Sequence, residues 1–546
     1  MSPRRVSLRP DSSIAGIFSC TRSAPSLTPA YTGAMSNDAR RAPEAASAAS
    51  ASPSVDATAP SPGRDRLSAG TIAQYAVGSI GTGGFGTLPG LVLTYYLTDN
   101  LGVTALLAGV IVTVSKVWDV VIDPVIGSLT DRDLAKHGTR RRLMLIGALS
   151  LPVQFALTFA VPPSLGPAIG ALWVLVAFLM TATAFSLFQV PYIALPAELT
   201  DNYDARTRLL TWRVVVLTFA ILLFGAGGPV LRGITGDPTT GYLVMGIVSG
   251  LVIGLGMLVA TGSARRAVIR NRRTMTDAGT AVAETADAIG EAVTGDSLPD
   301  PADTETIAAG SPGEGGVRAT FRAAASALRR SQPFRALLTT FFLQALATGL
   351  MLAGAQYLAT WVMRSEDAVT LLFVALIAPA LLAAPAWGWV AARIGKERAF
   401  AIASVVFAIA ALSTLGALWA PGSWLYGAVA LAGVAYAGMQ SLPMAMLPDV
   451  IAHDAATHGH GRAGAFGGVW TAGETTGFGL GATALSIVLA ATGYISSTAS
   501  ESVTQPDAAI AGIVVSFSLI PAALIAVSLV SLARYRLRRA DIDGTA

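Results

Sequence analysis

The sequence predicts an all-α membrane protein: about twelve transmembrane helices in two pseudo-symmetric six-helix halves. Three observations carry that prediction. Only 13% of the 546 residues are charged, about half the share found in soluble globular domains, which excludes a water-soluble enzyme built on one large core. Apolar segments of spanning length recur from about Ala69 onward, separated by short polar loops. Basic residues gather in alternate loops, as they do where positive charge marks one face of a membrane.

Residues 1–68 are rich in Ser, Ala, Pro and Arg and hold no apolar run near the ~20 residues a span needs. They read as a disordered cytoplasmic tail, in which Met35 is a second candidate start. Ile14-Ala-Gly-Ile-Phe-Ser is too short for the apolar core of a secretory signal, ~7–15 residues. Residues 69–262 form the first half, with spans expected near 71–98, 103–130, 142–161, 168–195, 209–231 and 241–262. Residues 263–333 break the pattern. Basic at both ends and acidic and Ala/Gly-rich between, they are expected to be a disordered cytoplasmic linker. The second half, 334–533, has spans expected near 334–363, 368–391, 399–420, 423–448, 464–492 and 508–533, and 534–546 is a second cytoplasmic tail.

The net charge of +4 is spread over loops rather than along one face of a folded domain. A lipid bilayer is therefore an expected partner and nucleic acid is not. Cys20 is the sole cysteine and has no partner for an intramolecular disulfide. Arg140-Arg141-Arg142, Arg206 with Arg208, Arg265-Arg266, Lys396 with Arg398, and Arg462 follow the even-numbered spans; Arg232 and Arg364 are the exceptions. Both termini and the linker are thus expected in the cytoplasm, in a multi-pass protein of the cell membrane.

The halves echo each other. Gly127-Ser-Leu-Thr-Asp131-Arg132 and Gly138-Thr-Arg140-Arg141-Arg142 follow the second span; Gly388 through Arg393, then Gly395-Lys396-Glu-Arg398, follow the eighth. Leu195-Pro196-Ala-Glu198 follows the fourth, and Leu447-Pro448-Asp449 the tenth. Motifs recurring in order six spans apart argue for a parallel duplication. That is the organisation of major facilitator transporters, with a substrate site between the halves near mid-membrane.

The most informative segment is Lys116-Val-Trp-Asp119-Val-Val-Ile-Asp123-Pro124-Val-Ile-Gly127 in the second span. Spacing of i, i+3 and i+7 puts Lys116, Asp119 and Asp123 on one helix face. A charge at the centre of a span costs ~2.5–3.5 kcal/mol on insertion scales, so three together need a reason. Two carboxylates one turn apart can bind a cation or share a proton, with Lys116 neutralising one when no cation is bound. A purely structural ion cluster is the plainer alternative.

At these residues the chain resembles the glycoside–pentoside–hexuronide:cation symporters. The carrying motifs are Asp119-x3-Asp123-Pro-x2-Gly127-x3-Asp131-Arg132, then Arg140-Arg141-Arg142. Further matches are Pro191 through Glu198, Arg206-Thr-Arg208 with Trp212-Arg213, Met446-Leu-Pro-Asp449, Phe466 through Trp470, and Tyr95-Tyr-Leu-Thr-Asp99. The resemblance covers about 70–540 and implies a twelve-helix major facilitator fold and cation-coupled symport. It implies that Asp119 and Asp123 bind Na+ or H+ and that Arg213 helps hold solute. The helix-I and helix-IV acids that grip sugar in the family's melibiose carriers align with Gly83 and Gln189, and a helix-XI lysine aligns with Thr475, beside Glu474. The retained cation pair without those acids implies a solute other than a melibiose-like galactoside.

Other intramembrane polar residues follow the rule that such groups mark sites. Glu474 is a candidate to meet a substrate amine, carry a proton, or answer Arg213. Gln189, Gln356, Tyr357, Gln440 and Trp470 are candidates to line the substrate site, each equally readable as an interhelical hydrogen-bond partner. Asp131, Arg132, Arg140, Arg141, Arg142 and Arg393, with Gly127, are expected to gate the cytoplasmic side. Gly81-Thr-Gly83-Gly84-Phe-Gly86 fits a nucleotide-binding fingerprint, but it lies inside an apolar span with no strand before it. His453, His458 and His460 lack the surrounding ligands of a metal site. The expected function is symport of a small organic solute, a sugar or glycoside, coupled to Na+ or H+. A lysolipid or drug carrier of the same fold is the alternative. No enzyme activity, cofactor or resident metal is expected, and the chain is expected to be monomeric.

Overall fold

A computed structural model describes residues 67–200, 202–292, 328–458, 463–501 and 503–537. Residues 1–66 of the expected N-terminal tail, 293–327 of the linker and 538–546 lie outside the described residues, as do Arg462 and His460. The described chain forms helices at all twelve expected positions. They are α1 Ala69–Asn100, α2 Ala105–His137, α3 Arg141–Thr158, α4 Gly166–Leu199, α5 Tyr203–Gly233 and α6 Pro238–Ala292. The second six are α7 Gln332–Val362, α8 Ala368–Ile394, α9 Lys396–Leu418, α10 Trp424–His458, α11 Ala463–Ala491 and α12 Asp507–Leu532. Eleven are long and apolar enough to cross a membrane; α3, which opens on Arg141 and Arg142, falls short of that measure. One boundary differs from expectation. Helix α6 runs on through 263–292, so the first part of the expected linker is helical.

Local chemistry sets the ends. Ser68, Asn202 and Ser331 accept backbone N–H bonds at the starts of α1, α5 and α7, meeting donors that no helix can satisfy internally. Gly138 closes α2 at φ 67°, a left-handed conformation that costs glycine nothing.

The packing repeats with the sequence. Within the first half α1 lies on α5, α2 on α4, and α3 on both α4 and α6. Six helices on, α7 lies on α11, α8 on α10, and α9 on α10 and α12. The halves meet through α2 with α11, α5 with α8, and α1 with α7. Small residues make these approaches possible, since lipid supplies no hydrophobic drive between helices. A Cβ at Gly83 would lie 2.7 Å from Ala220 of α5, and Cβ atoms at Gly349 and Gly481 would strike the backbone of α11 and α7 respectively. Gly81, Gly83 and Gly84 of the fingerprint-like stretch are therefore packing positions, whereas Gly86 borders open space.

Contacts joining the halves gather at the end away from the arginine-rich loops. There Thr98 bonds Tyr357 (2.6 Å), Tyr494 donates to Asp99 (2.5 Å), and Arg232 donates to Glu366 (2.9 Å). Ser497 N–H bonds the Thr98 carbonyl, and Leu101 bridges Thr498. On the α2–α11 seam Thr113 meets Thr483 at 2.6 Å. On the same seam the methylene stem of Lys116 occupies the notch left by Gly479.

Candidate functional site

Helix α2 presents two faces. Val110, Val114, Val121, Val125 and Leu129 form an exposed apolar stripe. At 100° per residue, Lys116, Asp119, Asp123 and Gly127 lie on the opposite face, turned into the protein. Lys116 Nζ donates to Asp119 Oδ2 at 3.0 Å. Asp119 is buried, whereas Asp123 is exposed. Asp123 is thus exposed on the side turned from the apolar stripe. Buried Ser186 of α4 lies beside it. The three charges that spacing placed together are therefore together, with one acid paired and one open.

Arg213 projects from α5 over the Tyr192 ring, 5.6 Å from its centroid. Tyr192 stacks on Tyr75 at 4.6 Å and donates to the Tyr75 carbonyl at 2.8 Å. The Arg213 Nε and the Tyr75 hydroxyl are both buried without a hydrogen-bond partner. Nearby, Gln189 accepts from Thr82 at 2.9 Å, tying α4 to α1. In the second half Glu474 is half-buried on α11, and Tyr436 of α10 is near enough to feel its charge. Gln440 donates to Tyr436 at 2.8 Å. Among the described residues neither Arg213 nor Glu474 has an ion-pair partner.

Several expected lining residues lie elsewhere. Gln356 is fully buried and donates to Thr360, and Tyr357 belongs to the closed end with Thr98. Trp470 is 2% exposed and stacks on Phe341 at 4.4 Å, so it packs α11 on α7 instead of lining a site. Each follows from the close approach of α7 to α11 and α1, which no single-span periodicity reports.

At the basic end Arg140 bonds Asp131 (2.9 Å) and Glu198 (2.5 Å). Partial burial works against its charge, but Glu198 and Asp131 outweigh that and hold its pKa above the ordinary arginine value. The second half has the matching pair, Lys396 with Asp449 at 2.6 Å. Arg393, expected in this role, instead lies exposed over the Trp389 ring, 3.7 Å from its centroid. Arg132 and Arg142 are exposed, Arg141 is half-buried, and Gly127 packs on Val190 of α4. The described residues hold no metal-ligating group of three or more His, Cys, Asp or Glu.

The groups that sequence reading missed are Tyr494 and Glu366 at the closed end; Asp99 entered it only as the last residue of a family motif, without a role. The one available signal was Arg232, a basic residue on the side otherwise poor in them. It is 6% exposed and lies against Tyr95, Tyr242 and Glu366.

Comparisons with known proteins agree with this architecture. The uncharacterized symporter YjmB of Bacillus subtilis is 30% identical over 34% of this chain and 41% of that relative. The putative glycoside/cation symporter YagG of Escherichia coli is 29% identical over 32% of this chain and 39% of its own. The chain thus spans about two fifths of these relatives' length in the matched stretches. The crystal structure of a D-xylose-proton symporter superposes with a TM-score of 0.58 at 14% identity, covering 86% of this chain and 97% of that one, which speaks for the fold alone. The family model described as MFS/sugar transport protein matches residues 74–293 and 311–539, and the chain belongs to that family of multi-pass membrane transporters.

Proposed function

We propose that the chain is a cation-coupled symporter of a sugar or glycoside, held here open toward the cytoplasm. The carrying observation is the inward face of α2, where Lys116 is bound to Asp119 and Asp123 stands open. With the arginine-rich loops cytoplasmic, the halves close at the outer end through Asp99, Tyr494, Thr98 and Tyr357. Na+ or H+ at Asp119 and Asp123 cancels carboxylate charge and competes with the Lys116 ammonium. Solute binds beside Arg213. Closure over the loaded site then buries no uncompensated charge, whereas closure over solute alone would, and that difference couples the two fluxes. Asp131, Arg132, Arg140, Arg141 and Arg142 serve the cytoplasmic gate. No cofactor beyond the coupling ion is needed, and the carrier works as a monomer in the cell membrane with both termini inside.

The test is uptake by proteoliposomes under separate Na+ and H+ gradients with a panel of glycosides. Asp119→Asn and Asp123→Asn should abolish gradient-driven accumulation while leaving solute exchange measurable. Undiminished accumulation in both variants would remove the coupling role from these acids.

A further inference from the structure

Lys116, Asp119, Asp123, Arg213 and Glu474 are charged side chains set inside the described spans. Lys116 and Asp119 neutralise each other. Asp123 is the open acid that a coupling ion discharges. That leaves Arg213 on the first half and Glu474 on the second, each half-buried and neither ion-paired among the described residues. With one monovalent cation bound, the positive and negative charges in this region balance, and they balance because of Glu474.

We infer that Glu474 sets the charge class of the solute: the cation-loaded carrier closes around a solute with no net charge, and sugars bearing a carboxylate or sulfonate are rejected. The inference rests on the symport reading above. Closing over a solute expels water, and each unbalanced charge then loses its hydration. An anionic solute would leave one excess negative charge in that dry space. Removing the Glu474 charge would leave one excess positive charge, which an anionic solute alone can cancel. Arg213 then takes hydroxyl or ring oxygens of a neutral sugar, and Glu474 accepts from hydroxyls on its other side.

The probes are the methyl glycosides of glucose, galactose and mannose, each against its methyl uronide, which differs in one carboxylate. Cation-driven uptake is measured in proteoliposomes for the full chain, Glu474→Gln and Glu474→Asp. The unsubstituted protein should favour the neutral member of whichever pair it carries. Glu474→Gln should move the ratio of kcat/KM toward the uronide by about tenfold or more. Glu474→Asp, which keeps the charge and changes the reach, should retain the neutral preference at reduced rate. Uronide preference in the unsubstituted protein overturns the inference and leaves symport standing, as does an unmoved ratio in Glu474→Gln. Absence of cation-driven uptake for all six probes overturns the symport reading and this inference with it.

Discussion

The Tyr494 hydroxyl donates a 2.5 Å hydrogen bond to the Asp99 carboxylate, joining residues 395 positions apart and in opposite halves. Thr98 donates to the same carboxylate at 2.5 Å and meets Tyr357 at 2.6 Å. One acid is thus held by hydroxyls from both halves at the closed end.

Loss of this contact should open that end. A hydrogen bond to a charged group contributes about 1.5–3 kcal/mol. Tyr494→Phe and Asp99→Asn should therefore raise the outward-open population by about tenfold. The measurement is labelling of a cysteine placed at Leu352, which faces Gly90 of α1, by an impermeant maleimide added outside, in a background with Cys20 replaced. Labelling at the unsubstituted rate would show that the bond does not hold the end shut.

The Lys116 stem fits against α11 because residue 479 has no side chain. Gly479→Ala should displace that stem and weaken the 3.0 Å bond to Asp119. Uptake rate should fall several-fold with solute affinity little changed, and adding Lys116→Ala should relieve the defect. The check is a double-mutant cycle on uptake. Additive losses would mean the two positions act independently.

The two basic-end ion pairs are matched in topology and unequal in burial. Arg140 and Glu198 have side chains only 13% and 16% exposed, whereas Lys396 is 42% exposed. Arg140→Ala strands a half-buried Glu198 and should cost about 3 kcal/mol. Lys396→Ala removes a more exposed ammonium but leaves Asp449, 18% exposed, without it, and should cost less, about 1–2 kcal/mol. Thermal unfolding in detergent should show a clearly larger drop in Tm for Arg140→Ala, and equal drops would refute the ranking.

The sequence by itself determined the twelve helical segments, their duplication, and the face of α2 that carries Lys116, Asp119 and Asp123. These rest on local quantities: apolar length against membrane thickness, loop charge, and the 3.6-residue period that fixes which side chains share a face. Asp449 and Glu198 were equally legible as repeat positions; that Lys396 meets Asp449, and that Arg393 lies over Trp389, was not. Tertiary structure alone decided that Gln356, Tyr357 and Trp470 are packing residues, that Asp99 meets Tyr494, and that Gly479 admits Lys116. Each depends on how closely two helices distant in sequence approach and at what rotation. In a bilayer that is set by small residues meeting across an interface, and a period read along one helix carries no record of the helix opposite.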